Sequence, residues 1–140
     1  MASQLKVDTI TGVTTAGSIS VTGEGNSTTT NLQQGLAKAW VNFDATGTPA
    51  ARDSLNFSSI VDNSAGDFTL NWSSSMANGN YALTGMTENF GVGSTTTCVL
   101  GVHTNTFPAT SSVTLTTVRT DSSSTTERDV NCASIFGDLA

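Results

Sequence analysis

The chain has 140 residues and a net charge of −6, with five Lys or Arg against eleven Asp or Glu. That length is one domain with at most a short extension. The absence of any basic run excludes direct binding to nucleic acid, which needs a positive footprint. No stretch approaches the ~20 apolar residues of a membrane helix, so membrane insertion is not expected.

About a third of the residues are Ser or Thr, 11% are charged and 36% are hydrophobic. Such a composition can signal disorder. Here the apolar residues are arranged rather than scattered, and Thr, Val, Phe and Tyr favour strands. The start Met1-Ala2-Ser3-Gln4-Leu5-Lys6 lacks the apolar core of a signal peptide. The expectation is a chain made in the cytoplasm and not exported by the usual route.

Residues 1–30 read as a stalk-like oligomerisation or attachment segment. Leu5, Val7, Ile10, Val13, Ile19 and Val21 are spaced among Thr, Gly and Ser. Each short piece has too few apolar atoms for a core of its own, so copies from other chains would supply the missing wall. Residues 31–39, NLQQGLAKA, read as a short helix. Asn31 is a good N-cap, with Gln34 at the N3 position of a capping box. Leu32 and Leu36 share one face. A helix this short is far below the ~12–15 residues that are marginal alone, so those leucines need burial. Three copies around an axis would provide it, which makes Leu32, Leu36 and Trp40 the trimer-core candidates.

From residue 40 to 140 the period is two. Val41 and Phe43 alternate with Asn42 and Asp44; Leu55 and Phe57 with Asn56 and Ser58; Phe68, Leu70 and Trp72 with Thr69 and Asn71. Later runs continue the pattern around Tyr81, Val113 and the final NCASIF. About seven short strands split by Gly, Asn, Asp and Ser predict an all-β fold, an antiparallel β-sandwich preceded by the helix and the extended stalk. VDNSAGDF predicts a hairpin turning through Asp62 to Asp67.

No catalytic arrangement is visible. His103 is the only histidine, and no orienting motif joins it to Cys98, Cys132 or a serine. The acidic residues fall at turns, where Asp normally caps. Two cysteines and one histidine do not resemble a zinc site, and both cysteines lie in strand-like runs that predict buried free thiols. GEGNSTTT and GVGST lack the lysine of a phosphate loop. The chain is therefore expected to be no enzyme and to hold no metal or cofactor. If consecutive strands alternate in direction, residues 45–53, 73–79 and 103–110 share the far end of the domain. Asn78, His103, Asn105 and Phe107 on these loops are the candidate receptor-facing residues, offering amides, an imidazole and an aromatic ring to a sugar or protein.

The run NLQQGLAKAWVNFD, followed by ARDSLNFSSIVDNSAGDFTLNWSSSMANGNYALTG, resembles the C-terminal domain of tail fibre proteins of tailed bacteriophages, especially marine (cyanobacterial or pelagic) phages. LKVDTITGVTTAGSISVTGEG is similar to the repeat-like segments that precede such domains. The ending NCASIFGD resembles their last strand, with Cys132 where Val is usual. The resemblance implies a homotrimer of parallel subunits, attached to the virion tail with other virion proteins and assembled in the host cytoplasm. It implies host attachment through a surface glycan or protein, and carries over no catalytic residue. The alternative is a virion decoration or connector protein without a receptor.

Overall fold

The structure is a computed structural model that describes residues 4–12, 19–23, 28–88 and 96–140, without the side chains of Gln33 and Gln34. Val13, the Gln34 side chain of the expected capping box and the GVGST run lie outside that description. The chain divides into two compact units, residues 1–36 and residues 37–140.

In the first unit β1 (Ser20–Thr22) pairs antiparallel with β2 (Thr29–Asn31), with Val21 opposite Thr30. The Gly23 amide donates to the Thr28 carbonyl at 2.8 Å and closes the ladder. Leu5, Val7, Ile10 and Val21 are all exposed. Leu32–Gly35 forms a single four-residue helical turn, and Leu36 beyond it is 54% exposed.

The second unit holds eight strands: β3 (Ala37–Asp44), β4 (Ala50–Leu55), β5 (Phe57–Ser64), β6 (Asp67–Trp72), β7 (Ala82–Thr87), β8 (Cys98–Val102), β9 (Ser112–Arg119) and β10 (Asn131–Phe136). They make two four-stranded antiparallel sheets, in the orders β4–β3–β10–β7 and β5–β6–β9–β8. Alternation explains the core. Ala39, Val41 and Phe43 of β3 and Ala133 and Ile135 of β10 point inward from one sheet. Phe68, Leu70 and Trp72 of β6 and Val113 and Leu115 of β9 answer from the other. Phe43 meets Phe68 edge to face, with ring centroids 5.0 Å apart. That geometry is worth ~0.5–1.5 kcal/mol beyond the area buried. Asn131 is fully buried and satisfied. Its Oδ1 accepts from Thr87 Oγ1 at 2.8 Å, and its Nδ2 donates to the Arg128 carbonyl at 2.8 Å.

These observations correct the expected fold. The chain is all-β, but its described residues form ten strands in three open sheets, not about seven strands in a sandwich behind a helix. The helix expected over 31–39 is cut to one turn, because Asn31 closes β2 and Ala37, Lys38 and Ala39 already belong to β3. Gly35 weakens a helix by about 1 kcal/mol. Against it stand a strand ladder with β10 and the full burial of Ala39, which favour the extended state. The strand count also fell short at SLNFSSIV. That run is two strands, broken at Asn56, whose φ of 52° sends the chain from one sheet to the other. Asn tolerates this left-handed conformation better than most residues.

The hairpin expected at VDNSAGDF forms as β5 and β6, with Ser64 opposite Asp67. Its turn needs glycine twice over. Gly66 has a φ of 78°, and a Cβ there would stand 2.5 Å from the Thr126 backbone nitrogen.

Candidate ligand-binding loops

Loops 73–81 and 103–112 gather at one end of the second unit, the end where β3 begins. The Met76 amide donates to the Thr110 carbonyl and the Ala77 amide to the Asp138 carbonyl, both at 2.8 Å. Met76 is buried beneath them. Asn56 fastens the same end: its Oδ1 accepts from the Ser74 amide at 2.7 Å and its Nδ2 donates to the Ser74 carbonyl at 3.1 Å. The break at Asn56 reverses the parity of every later connection, so loops 73–79 and 103–110, expected at the far end with 45–53, lie instead at the end where β3 begins. Residues 45–49 lie at the opposite end, where the Ala45 amide donates to the Arg128 carbonyl and the Gly47 amide to Glu127 Oε2.

The loop 103–112 is pinned at both feet. The His103 carbonyl accepts from the Thr106 amide at 3.2 Å and from Thr106 Oγ1 at 2.8 Å. Asn105 between them sits at a φ of 62°. At the other foot the buried Tyr81 hydroxyl lies 3.1 Å from both the Ala109 and Ser112 carbonyls, sharing its one proton between them. Burial raises the pKa of Tyr81 above that of an ordinary phenol. Gly79 packs so closely on Pro108 that a Cβ would stand 2.3 Å from the Pro108 carbonyl oxygen. The two loops are thus in direct backbone contact.

Of the residues expected to face a receptor, Asn78, Asn105 and Phe107 are exposed on these adjoining loops. Asn78 Oδ1 accepts from the Asn80 amide at 2.8 Å, which fixes the turn and leaves the side-chain amide group as a donor. Phe107 is 91% exposed, the most exposed large hydrophobic residue among those described. The prolyl ring beside it and the two pinned feet limit how far it can fold back. The arrangement is an aromatic face flanked by two primary amides, held on a clamped backbone. Such a surface can stack against the C–H face of a sugar ring while the amides bond hydroxyls, or seat a small apolar patch of a protein.

His103 points elsewhere. Its Nε2 lies 3.6 Å from Asp67 Oδ2 on the outward face of the β5–β6–β9–β8 sheet, and its Nδ1 is 2.8 Å from the Thr104 carbonyl oxygen. Ser64 Oγ donates to Asp67 Oδ2 at 3.2 Å. The order is serine to carboxylate to imidazole, so the imidazole does not bridge nucleophile and acid as a general base must. Asp67 is the partner that sequence reasoning missed. It read as a turn residue, and its approach to His103 across β9 follows only from the sheet register. Leu32 and Leu36 belong to the first unit. Trp40 is half-buried on β3, on the side opposite the inward Ala39 and Val41.

Cys98 is buried and Cys132 half-buried, and both are free thiols. Among the described residues no group of three or more His, Cys, Asp or Glu is placed to hold a metal ion, and no helix is long and apolar enough to cross a membrane. No protein-family model, no curated protein and no solved structure matches the chain.

Proposed function

We propose that this chain is a non-catalytic binding module of a bacteriophage tail fibre, a homotrimeric virion component that displays the loops 73–81 and 103–112 to a glycan on the host surface. The observation that carries the reading is Phe107, a 91% exposed aromatic ring on a loop clamped at both feet. Exposing such a ring is unfavourable by roughly 1.5–3 kcal/mol relative to burying it, so a loop built to present one is best explained by a partner. Asn78 and Asn105 supply the polar contacts that orient a sugar. The resemblance of the sequence to phage fibre domains supports the same setting. A connector role without a receptor is favoured instead by the exposed Leu5, Val7 and Ile10, which suit attachment to another virion protein.

The test is binding of the whole protein to an immobilised panel of bacterial lipopolysaccharide and capsular oligosaccharides, compared with Phe107→Ala. The expected result is binding to some members and at least a tenfold loss in Phe107→Ala at unchanged thermal stability. Absence of binding across the panel, or equal binding by the variant, would favour the connector role.

A further inference from the structure

We propose that Asn78–Gly79 is a site of spontaneous covalent modification: the chain deamidates there, and the isoaspartate that forms disturbs the contact between loops 73–81 and 103–112. The inference goes beyond receptor binding and stands whatever the loops recognise.

The reaction needs a backbone nitrogen to reach the side-chain carbon of the asparagine before it. Any side chain on the following residue crowds that approach, and glycine has none. Of the eleven asparagines only Asn78 precedes a glycine. The fold disfavours several of the others. Asn42, Asn63, Asn71 and Asn131 lie in strands, where the ladder fixes the backbone. Asn56 is tied to Ser74 by both polar atoms of its side chain. Asn105 is exposed on a loop, but Thr106 follows it with a branched Cβ. Asn78 is exposed on a loop, so ammonia can leave and water can enter.

The local geometry favours the attack. The Asn80 amide donates to Asn78 Oδ1 at 2.8 Å. The ring closed by that bond contains both Asn78 Cγ and the Gly79 nitrogen, the two atoms that must join. Attack places negative charge on Oδ1, and the Asn80 N–H already points at that oxygen, as a donor in an oxyanion hole does. The bond from the Gly79 nitrogen to Cγ forms, the Cγ–Nδ2 bond breaks, and ammonia leaves with the Gly79 amide proton. A solvent water then opens the cyclic imide, giving its hydroxyl to one carbonyl carbon and its proton to the nitrogen. Opening at Cγ yields aspartate. Opening at the main-chain carbonyl carbon of residue 78 yields isoaspartate. Nothing is oxidised or reduced. Either product adds one carboxylate and takes the net charge from −6 to −7.

Isoaspartate routes the main chain through the former side chain and lengthens it by one carbon. That carbon enters where the two loops touch. Gly79 has no room to give on that side, since a Cβ there would stand 2.3 Å from the Pro108 carbonyl oxygen. Two residues on, the Tyr81 hydroxyl is bonded to the Ala109 and Ser112 carbonyls. The longer chain therefore strains both contacts.

The test is incubation of the whole native protein in mildly alkaline buffer made with heavy-oxygen water, followed by mass spectrometry of its peptides. Asn78 is expected to take up one heavy oxygen at least about ten times faster than any other asparagine, because Gly79 alone brings no Cβ to the attacked bond. Two products of equal mass, aspartyl and isoaspartyl, are expected to separate by chromatography. Asn78→Gln, whose side-chain carbon lies one bond further away, is expected to show no uptake at this position. The isoaspartyl protein is expected to melt below the native protein. Asn78→Asp, with the same added charge and an ordinary main chain, is expected to melt with the native protein. Absence of uptake at Asn78, or uptake spread evenly over the asparagines, would overturn the site. An isoaspartyl protein that melts with the native form, or Asn78→Asp that melts as low as the isoaspartyl protein, would overturn the disturbance of the loop contact. Neither readout uses a glycan, so failure of the receptor reading and failure of this one are distinguishable.

Discussion

The two large sheets bury one face each in the same core, and their outward faces are made of different material. On β5–β6–β9–β8 the outward polar side chains bond one another: Thr69 Oγ1 meets Thr114 Oγ1 at 2.9 Å, Asn63 Nδ2 donates to Thr69 Oγ1 at 3.0 Å and Asn71 Nδ2 to Ser59 Oγ at 3.2 Å. On β4–β3–β10–β7 the same positions carry Leu55, Trp40, Cys132, Phe136 and Met86. Both sheets obey the same period of two, so inward burial alone does not separate them. The outward residues do. One face is tied together by bonds between its own hydroxyls and amides around the exposed Val61 and Val99, whereas the other carries larger apolar side chains.

The largest effect tests what the sheets share. Phe43→Ala removes the ring that meets Phe68 and should destabilise the chain by ~3–5 kcal/mol in urea unfolding, with both sheets lost in one transition. Two transitions would show that the sheets do not depend on a common core. Next comes the clamp at the loop end. Tyr81→Phe leaves the Ala109 and Ser112 carbonyls without its hydroxyl and should cost ~1–3 kcal/mol. Because the folded pKa of Tyr81 is raised, its contribution is full below the ordinary phenol value of 10.0 and falls as pH rises beyond it. Alkaline loss of stability in the native chain that is absent from Tyr81→Phe is the expected signature.

A paired substitution then compares the outward faces directly. Thr114→Val breaks the hydroxyl pair with Thr69 and should cost ~0.5–1.5 kcal/mol. Ser134→Val, in the middle of the apolar face, should change stability by no more than ~0.5 kcal/mol or raise it slightly. Equal costs in chemical denaturation would erase the distinction between the faces.

The smallest effect is acidic and belongs to the end away from the binding loops. Thr46, by its hydroxyl and its amide, holds the Asp44 carboxyl below its ordinary value, with Asp129 and Arg52 adding to it. The Arg119 guanidinium, with Thr96, pulls Asp121 well below the carboxylate range. Lowered folded values mean a contribution that is full above pH 3.8 and is lost as the pH falls through the folded value. Asp121→Asn should flatten the acid limb of a melting-temperature titration, and an unchanged acid limb would show that these exposed pairs contribute nothing.

The inward half of the fold was legible in the sequence, because Val41, Phe43, Phe68, Leu70, Val113 and Leu115 alternate with polar residues wherever a strand has one wet side. The strand break at Asn56 was not. Its only local sign is an asparagine between two apolar residues, and the φ of 52° depends on the bonds to Ser74. That missed break placed loops 73–79 and 103–110 at the far end with 45–53, whereas they lie at the end where β3 begins. The helix over 31–39 read well locally, but the cap and the Leu32–Leu36 spacing compete with a β3–β10 ladder formed by residues almost a hundred positions away. Phe107 could be named from the sequence; its exposure could not, since Phe-Pro in a loop packs inward as readily as outward. The Asp67–His103 approach and the apolar outward face exist only once the register is known.

The account rests most on the register that turns Cys98 inward and Cys132 outward, and the two thiols report it. The measurement is the alkylation rate of each cysteine in the native protein with iodoacetamide, read by mass spectrometry. Cys98, buried in its own chain, should be slow, and the half-buried Cys132 should be faster. Alkylation of Cys98 as fast as that of Cys132, or at the rate of a free thiol, would contradict the account.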